Sequence, residues 1–276
     1  MEDLYGTILE WLNLAARWIH VFAGIMWVGQ TYFFTWLDGR FTEMTGEMTG
    51  AAPPKDGDDK VWMVHSGGFY LVGKQKTPQF LPRTLHWFRW EAAITWMSGV
   101  VLLFLVYYNG GLMLNENMES TVPIIAGIAA IIVPWHIYDA LWKSKLSRNE
   151  AACAAISYAL LVGVIFTLTR LMDGRAAYMH VGAMLGTLMT ANVWIRILPA
   201  QRKMVAALKE GNPPDMTLAE RAKMRSKHNT FMAVPVVFIM ISNHYPVTSY
   251  GDSLNWVILS VLILVGWGAA KIIRKA

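Results

Sequence analysis

Residues 176–195 read AAYMHVGAMLGTLMTANVWI, a run with no Asp, Glu, Lys or Arg. Wound as a helix at about 1.5 Å per residue, such a run crosses the roughly 30 Å hydrocarbon core of a bilayer. Residues 18–37 and 229–251 are equally free of those charges. Working outward from them, long and nearly uncharged stretches occupy about 11–37, 84–108, 121–142, 151–171, 176–198, 228–250 and 253–270. The expected fold is therefore all-α: one polytopic membrane bundle over 1–276 with about seven transmembrane helices. Composition agrees. Hydrophobic residues make up 55% of the 276 positions and charged ones only 16%, against about a quarter in soluble chains.

The Lys and Arg residues set an orientation. Arg40, Lys55, Lys60, Lys74, Lys76 and Arg83 follow the first span. Lys143, Lys145 and Arg148, the run from Arg202 to Lys227, and Lys271, Arg274 and Lys275 fall on the same side. Arg170 and Arg175 alone occupy the other side's loops. The N-terminus is thus expected outside and the C-terminus in the cytoplasm, in an inner, cytoplasmic membrane. The start, Met1-Glu2-Asp3, is acidic and lacks the basic region of a signal peptide, so the first span is read as permanent. The net charge of +5 is read as a topology signal, with no nucleic-acid partner. The single Cys153 excludes an internal disulfide framework and a Cys-based metal cluster within one chain.

Residues 38–83 form a long loop on the cytoplasmic side. Glu43 to Lys60 is polar and rich in Gly and Pro. Val61-Trp62-Met63-Val64-His65-Ser66-Gly67-Gly68-Phe69-Tyr70 is aromatic around a Gly pair, which suggests a folded element packed on the bundle. Residues 199–227 read as an amphipathic basic helix at the surface.

Ionisable side chains inside spans are costly and mark functional positions. Six of the seven histidines lie in or at the end of a span. His20, His180 and His244 form an outer layer near Arg17 and Asn243. His65, His86, His136 and His228 form an inner layer near Arg89, Glu91 and Asp139. Imidazoles on different helices suit a bis-histidine haem. The other reading of each is a hydrogen-bonded packing residue. Candidate cofactor residues are His20 and His180 as iron ligands, with His244, His136 and Arg17 beside them, Arg17 as a partner for a propionate.

Four stretches together resemble one family: Arg17-Trp18-Ile19-His20 running to Gly29, Val64-His65-Ser66-Gly67-Gly68-Phe69-Tyr70, His180-Val181-Gly182-Ala183-Met184-Leu185-Gly186-Thr187, and Lys227-His228-Asn229 with Ile241-Ser242-Asn243-His244-Tyr245-Pro246. The resemblance is to the membrane domain of the bacterial cytochrome-linked, integral-membrane urate oxidases. It implies a multi-span membrane part, b-type haem, and urate oxidation with electrons passed to a cytochrome c. That family carries a C-terminal cytochrome c domain, whereas this sequence runs to Ala276 without a C-x-x-C-H. The expected acceptor is then a separate chain. Within this reading, urate is oxidised at the cytoplasmic side. His65, Arg89 and Glu91 are the expected catalytic residues. Gly67, Gly68, Phe69 and Tyr70 join His65 and Arg89 around the purine, and electrons leave through haem to the outer face. A non-catalytic haem b subunit of a larger complex is the alternative, followed by a transporter.

Overall fold

A computed structural model describes residues 2–44, 60–75, 78, 84–113, 121–245 and 253–274. Among the described residues seven long helices carry the fold. Helix α1 spans Glu2–Met44. Helix α2 spans Trp90–Tyr108, its last five residues wound as π-helix. Helices α3 (Thr121–Lys143) and α4 (Glu150–Leu171) are joined by a short 3-10 turn, Lys145–Arg148. Helix α5 runs Gly174–Lys209, with a π-helical segment at Asn192–Ile197. Helices α6 (Met216–Ser242) and α7 (Asn255–Ile273) complete the bundle. Among the described residues, α2, α3, α4, α5 and α7 are long and apolar enough to cross a membrane.

Local chemistry sets the helix starts. The Asn149, Asp173 and Asp215 side chains accept hydrogen bonds from the backbone amides of Ala152, Arg175 and Thr217, satisfying N–H groups that a first turn leaves unpaired. The Thr217 amide and hydroxyl hold the Asp215 carboxyl below its ordinary range.

Of the seven runs expected to span, the first and sixth form α1 and α6, which are not among those five helices, and two further stretches differ from the sequence reading. The segment 199–227 is not one surface helix. Helix α5 continues unbroken to Lys209, the chain turns at Gly211 (φ +76°), and α6 begins at Met216. The sixth apolar run is thereby a helix that starts before residue 228 and closes at Ser242, and residues 246–250 lie outside the described part. The long loop opens with two more turns of α1, to Met44. Most of its polar section, 45–59, lies outside the described residues. Its aromatic section is a β-hairpin. Strand β1 (Lys60–His65) pairs antiparallel with β2 (Gly68–Gly73), register Val61↔Val72 and Met63↔Tyr70. Ser66 (φ +50°) and Gly67 (φ +76°) make the two-residue turn that matches strand twist. Val61, Met63 and Val72 pack on Leu37, Phe41 and Met44 at the end of α1.

Helix α5 is the axis of the bundle. Ala176, Ala177, Tyr178, His180 and Val181 are fully buried. Tyr178 donates to the Asn255 carbonyl on α7 (2.6 Å), and Gly182 lies against Ile239 of α6. Trp96 of α2 donates to Thr187 (2.9 Å).

Candidate functional site

The outer-layer histidines are held separately. His20 on α1 donates its Nδ1–H to the Thr95 carbonyl of α2 (2.8 Å), and its ring lies on Gly99. His180 on α5 is enclosed: Nδ1–H donates to the Ala176 carbonyl (2.7 Å) and Nε2 accepts from Tyr108 (3.1 Å). His244 is exposed in the turn after α6. Arg17 is exposed and donates to Asn13. His136 is exposed on α3.

The hairpin residues also stand apart from α2. His65 is exposed at the tip, with Ser66 as hydrogen-bond partner (2.9 Å). Gly67 serves the turn and Gly68 opens β2. Phe69 and Tyr70 are exposed. Arg89 precedes α2 and lies over the Trp90 ring, and Glu91 sits in the first turn. No hydrogen bond or ion pair among the described residues joins His65 to Arg89 or Glu91. Arg89 Nε and Glu91 Oε2 are instead buried without a hydrogen-bond partner.

What the structure does bring together lies elsewhere. A cavity of about 570 Å³ opens among α3, α4, α5, α6 and α7. Its walls are largely apolar, including Leu161, Leu185, Phe231 and Trp267. Its polar end is built from Tyr138, Trp142, Ser157 and His228, with Glu150 and Lys227 alongside. The Trp142 and His228 rings lie 4.1 Å apart between centroids, and the Trp142 indole N–H donates to Ser157 Oγ (3.2 Å). Lys227 and Glu150 form an ion pair of 2.6 Å.

Behind that end lies a polar network across three helices. Asn192, fully buried, donates to the Tyr138 hydroxyl oxygen (3.0 Å) and to Asn229 Oδ1 (2.9 Å). Asn229 in turn donates to the Met189 carbonyl (3.0 Å). With its oxygen accepting from Asn192, the Tyr138 hydroxyl is free to donate to His228 Nδ1, 2.7 Å away. That sequence of donors places the imidazole hydrogen of a neutral His228 on Nε2. Asp139, next to Tyr138, accepts from Arg225 (2.9 Å) and from Arg196 through two nitrogens, and pairs with Lys143 (3.0 Å). One carboxylate facing three cations leaves two positive charges uncompensated within this group. Arg225 is 3% exposed and also lies over the Tyr138 ring (4.8 Å). The π-helical segment carries both Asn192 and Arg196. An extra residue in a helical turn re-aims side chains and recurs at functional sites.

Haem, the cofactor the resemblance implies, meets a divided fit. An iron ligand needs one ring nitrogen free and space beside it. His180 offers neither: both nitrogens are bonded, and a Cβ added at Gly127 would sit 2.8 Å from Nε2. His20 meets the first requirement, since its Nδ1–H is given to a backbone carbonyl, the usual arrangement of a ligating imidazole. Among the described residues no cluster of three or more His, Cys, Asp or Glu is grouped to hold a metal ion.

The family model described as Urate oxidase N-terminal matches residues 6–275. No curated protein matches the chain, and no solved structure matches it.

Proposed function

Because the chain belongs to the Urate oxidase N-terminal family, we propose that it is a membrane-bound component that oxidises urate, and that the purine occupies the cavity beside His228. The observation that carries the location is the Trp142–His228 ring pair next to Tyr138 at the polar end of an otherwise apolar cavity. About 570 Å³ lies within the range of small-molecule sites, roughly 300–1,000 Å³. Urate is a planar anion at neutral pH. Trp142 offers it an aromatic face, and the His228 Nε2–H offers a donor. Of the cations around Asp139, Arg225 is the buried one and lies over the Tyr138 ring behind this end of the cavity, while Lys143 and Arg196 lie nearer solvent. His65, Arg89 and Glu91 are secondary candidates, for they line no part of this cavity.

Oxidation of urate needs an electron acceptor. The family resemblance supports haem as the first carrier and a cytochrome c as the next. His20 would hold the haem, which supplies one-electron transfer when bound. The Lys and Arg distribution supports an N-terminus outside and a C-terminus in the cytoplasm, and the family resemblance supports a bacterial inner membrane.

The test is urate-dependent reduction of an added cytochrome c by the purified protein in lipid nanodiscs. Turnover should be present in the wild type and fall about ten-fold or more in His228→Ala, the loss expected for a hydrogen bond to an anion worth roughly 1.5–3 kcal/mol. Full turnover in His228→Ala would place the substrate elsewhere.

A further inference from the structure

The β-hairpin has two unlike faces. Val61, Met63 and Val72 turn towards α1, with Val61 buried. On the opposite face the register pairs Trp62 with Leu71 and Val64 with Phe69. All four are apolar and exposed, Val64 to 68% and Phe69 to 78%. A two-stranded ribbon with a bare apolar face is a poor surface to leave in water.

The depth of this face follows from its anchors. Helix α2 begins at Trp90, and Phe88 just before it packs edge-to-face on Phe34 of α1 (4.9 Å). The α2 span of 19 residues is about 28 Å long, close to the hydrocarbon thickness. Phe34 therefore marks the level of one hydrocarbon edge. The hairpin's anchors, Leu37 and Phe41, lie about 5–10 Å beyond Phe34 along α1. That is the headgroup layer, where Trp and other large side chains concentrate. Just before that level α1 and the start of α2 carry further exposed aromatic side chains, Phe33, Phe34, Trp36, Phe88 and Trp90.

We propose that the Trp62–Val64–Phe69–Leu71 face of the hairpin seats in the bilayer interface, holding the end of α1 against the membrane. Lipid is its occupant. The inference rests on the reading of the helices as membrane spans and is independent of urate.

The experiment uses the whole chain in nanodiscs, with the buried Cys153 replaced (Cys153→Ala) and a single cysteine introduced at Val64 or Phe69 for an environment-sensitive fluorophore. Asn212, exposed in the turn before α6, gives the aqueous control. Lipids carrying a spin label near the headgroup should quench labels at positions 64 and 69 at least about two-fold more than at 212. Aqueous iodide should show the reverse order. Labels at 64 and 69 quenched by iodide as strongly as at 212 would put the face in water and overturn the proposal. Labels protected from both quenchers would mean that protein covers the face, and would overturn it equally. The two positions are exposed, so a labelling variant that loses its fold at one is checked at the other.

Discussion

Tyr138 on α3 and His228 on α6 share a hydrogen bond of 2.7 Å at the polar end of the cavity among α3 to α7. The same Tyr138 oxygen accepts from Asn192 on α5, so one hydroxyl ties three helices together. Tyr138→Phe keeps the ring under the Arg225 guanidinium and removes only the hydroxyl. His228 then loses the group that fixes its tautomer and orientation. Urate turnover should fall about ten-fold, the effect of losing roughly 1.4 kcal/mol. Thermal stability should drop by no more than about 2 kcal/mol. The check is turnover alongside an unfolding curve for the same preparation.

Asp139→Asn removes the one carboxylate among Lys143, Arg196 and Arg225. Arg225, nearly inaccessible, is left as a buried charge without its ion-pair partner. Breaking such a pair from one side costs about 3–5 kcal/mol. The variant should show a much lower thermal midpoint and poor yield. Lys143→Ala, at the exposed rim of the same cluster, should change stability by less than about 1 kcal/mol.

Gly127→Ala tests the enclosure of His180. The new Cβ would lie 2.7 Å from the Tyr108 hydroxyl and 2.8 Å from His180 Nε2. Neither ring can give way without breaking the bond between them. The expected cost is about 1–3 kcal/mol of overpacking, read from thermal unfolding. Unchanged stability would mean that His180 has room beside it, and would reopen it as an iron ligand.

A pH dependence is expected at the hairpin's base. Burial pushes the Asp38 carboxyl up, but hydrogen bonds and charge from Lys74 and Lys223 outweigh it and hold the group below its ordinary value. A depressed carboxylate contributes stability above its unfolded value, near 3.9, and loses it as pH falls through the folded one. Proteolysis of the hairpin should thus be flat from pH 7 to about 5 and accelerate below about 4. Asp38→Asn should abolish the change. Loosening between pH 7 and 6 would point to a histidine instead.

The helices were legible because an uncharged run long enough to cross a bilayer has few other uses. Residues 121–142 and 151–171 coincide with α3 and α4 almost to the residue. Helix ends were less so. Within 199–227 the break is written in Gly211-Asn212-Pro213-Pro214 and the cap Asp215, but the basic, amphipathic character of the whole segment outweighs those stop residues in a reading by composition. The hairpin carried a signal, Ser66-Gly67 between two apolar runs, but its aromatic content drew attention as a ligand surface. The polar network was the least legible. Asn192 reaches Tyr138 and Asn229 from an apolar stretch, and the π-helical segment that aims it has no sequence signature. His228 is one of four inner histidines in the sequence, and its place at the start of an apolar run reads as an ordinary helix-end polar residue. Only packing shows Tyr138 and Trp142 beside it.

The central claim is that the purine sits beside His228 and not at the hairpin tip. Equilibrium binding of urate to the purified protein in nanodiscs tests it most directly, comparing wild type, Trp142→Ala, His228→Ala and His65→Ala. Binding about ten-fold weaker in the Trp142 and His228 variants, with His65→Ala at wild-type affinity, is the predicted result. Wild-type affinity in both cavity variants and a loss in His65→Ala would contradict it.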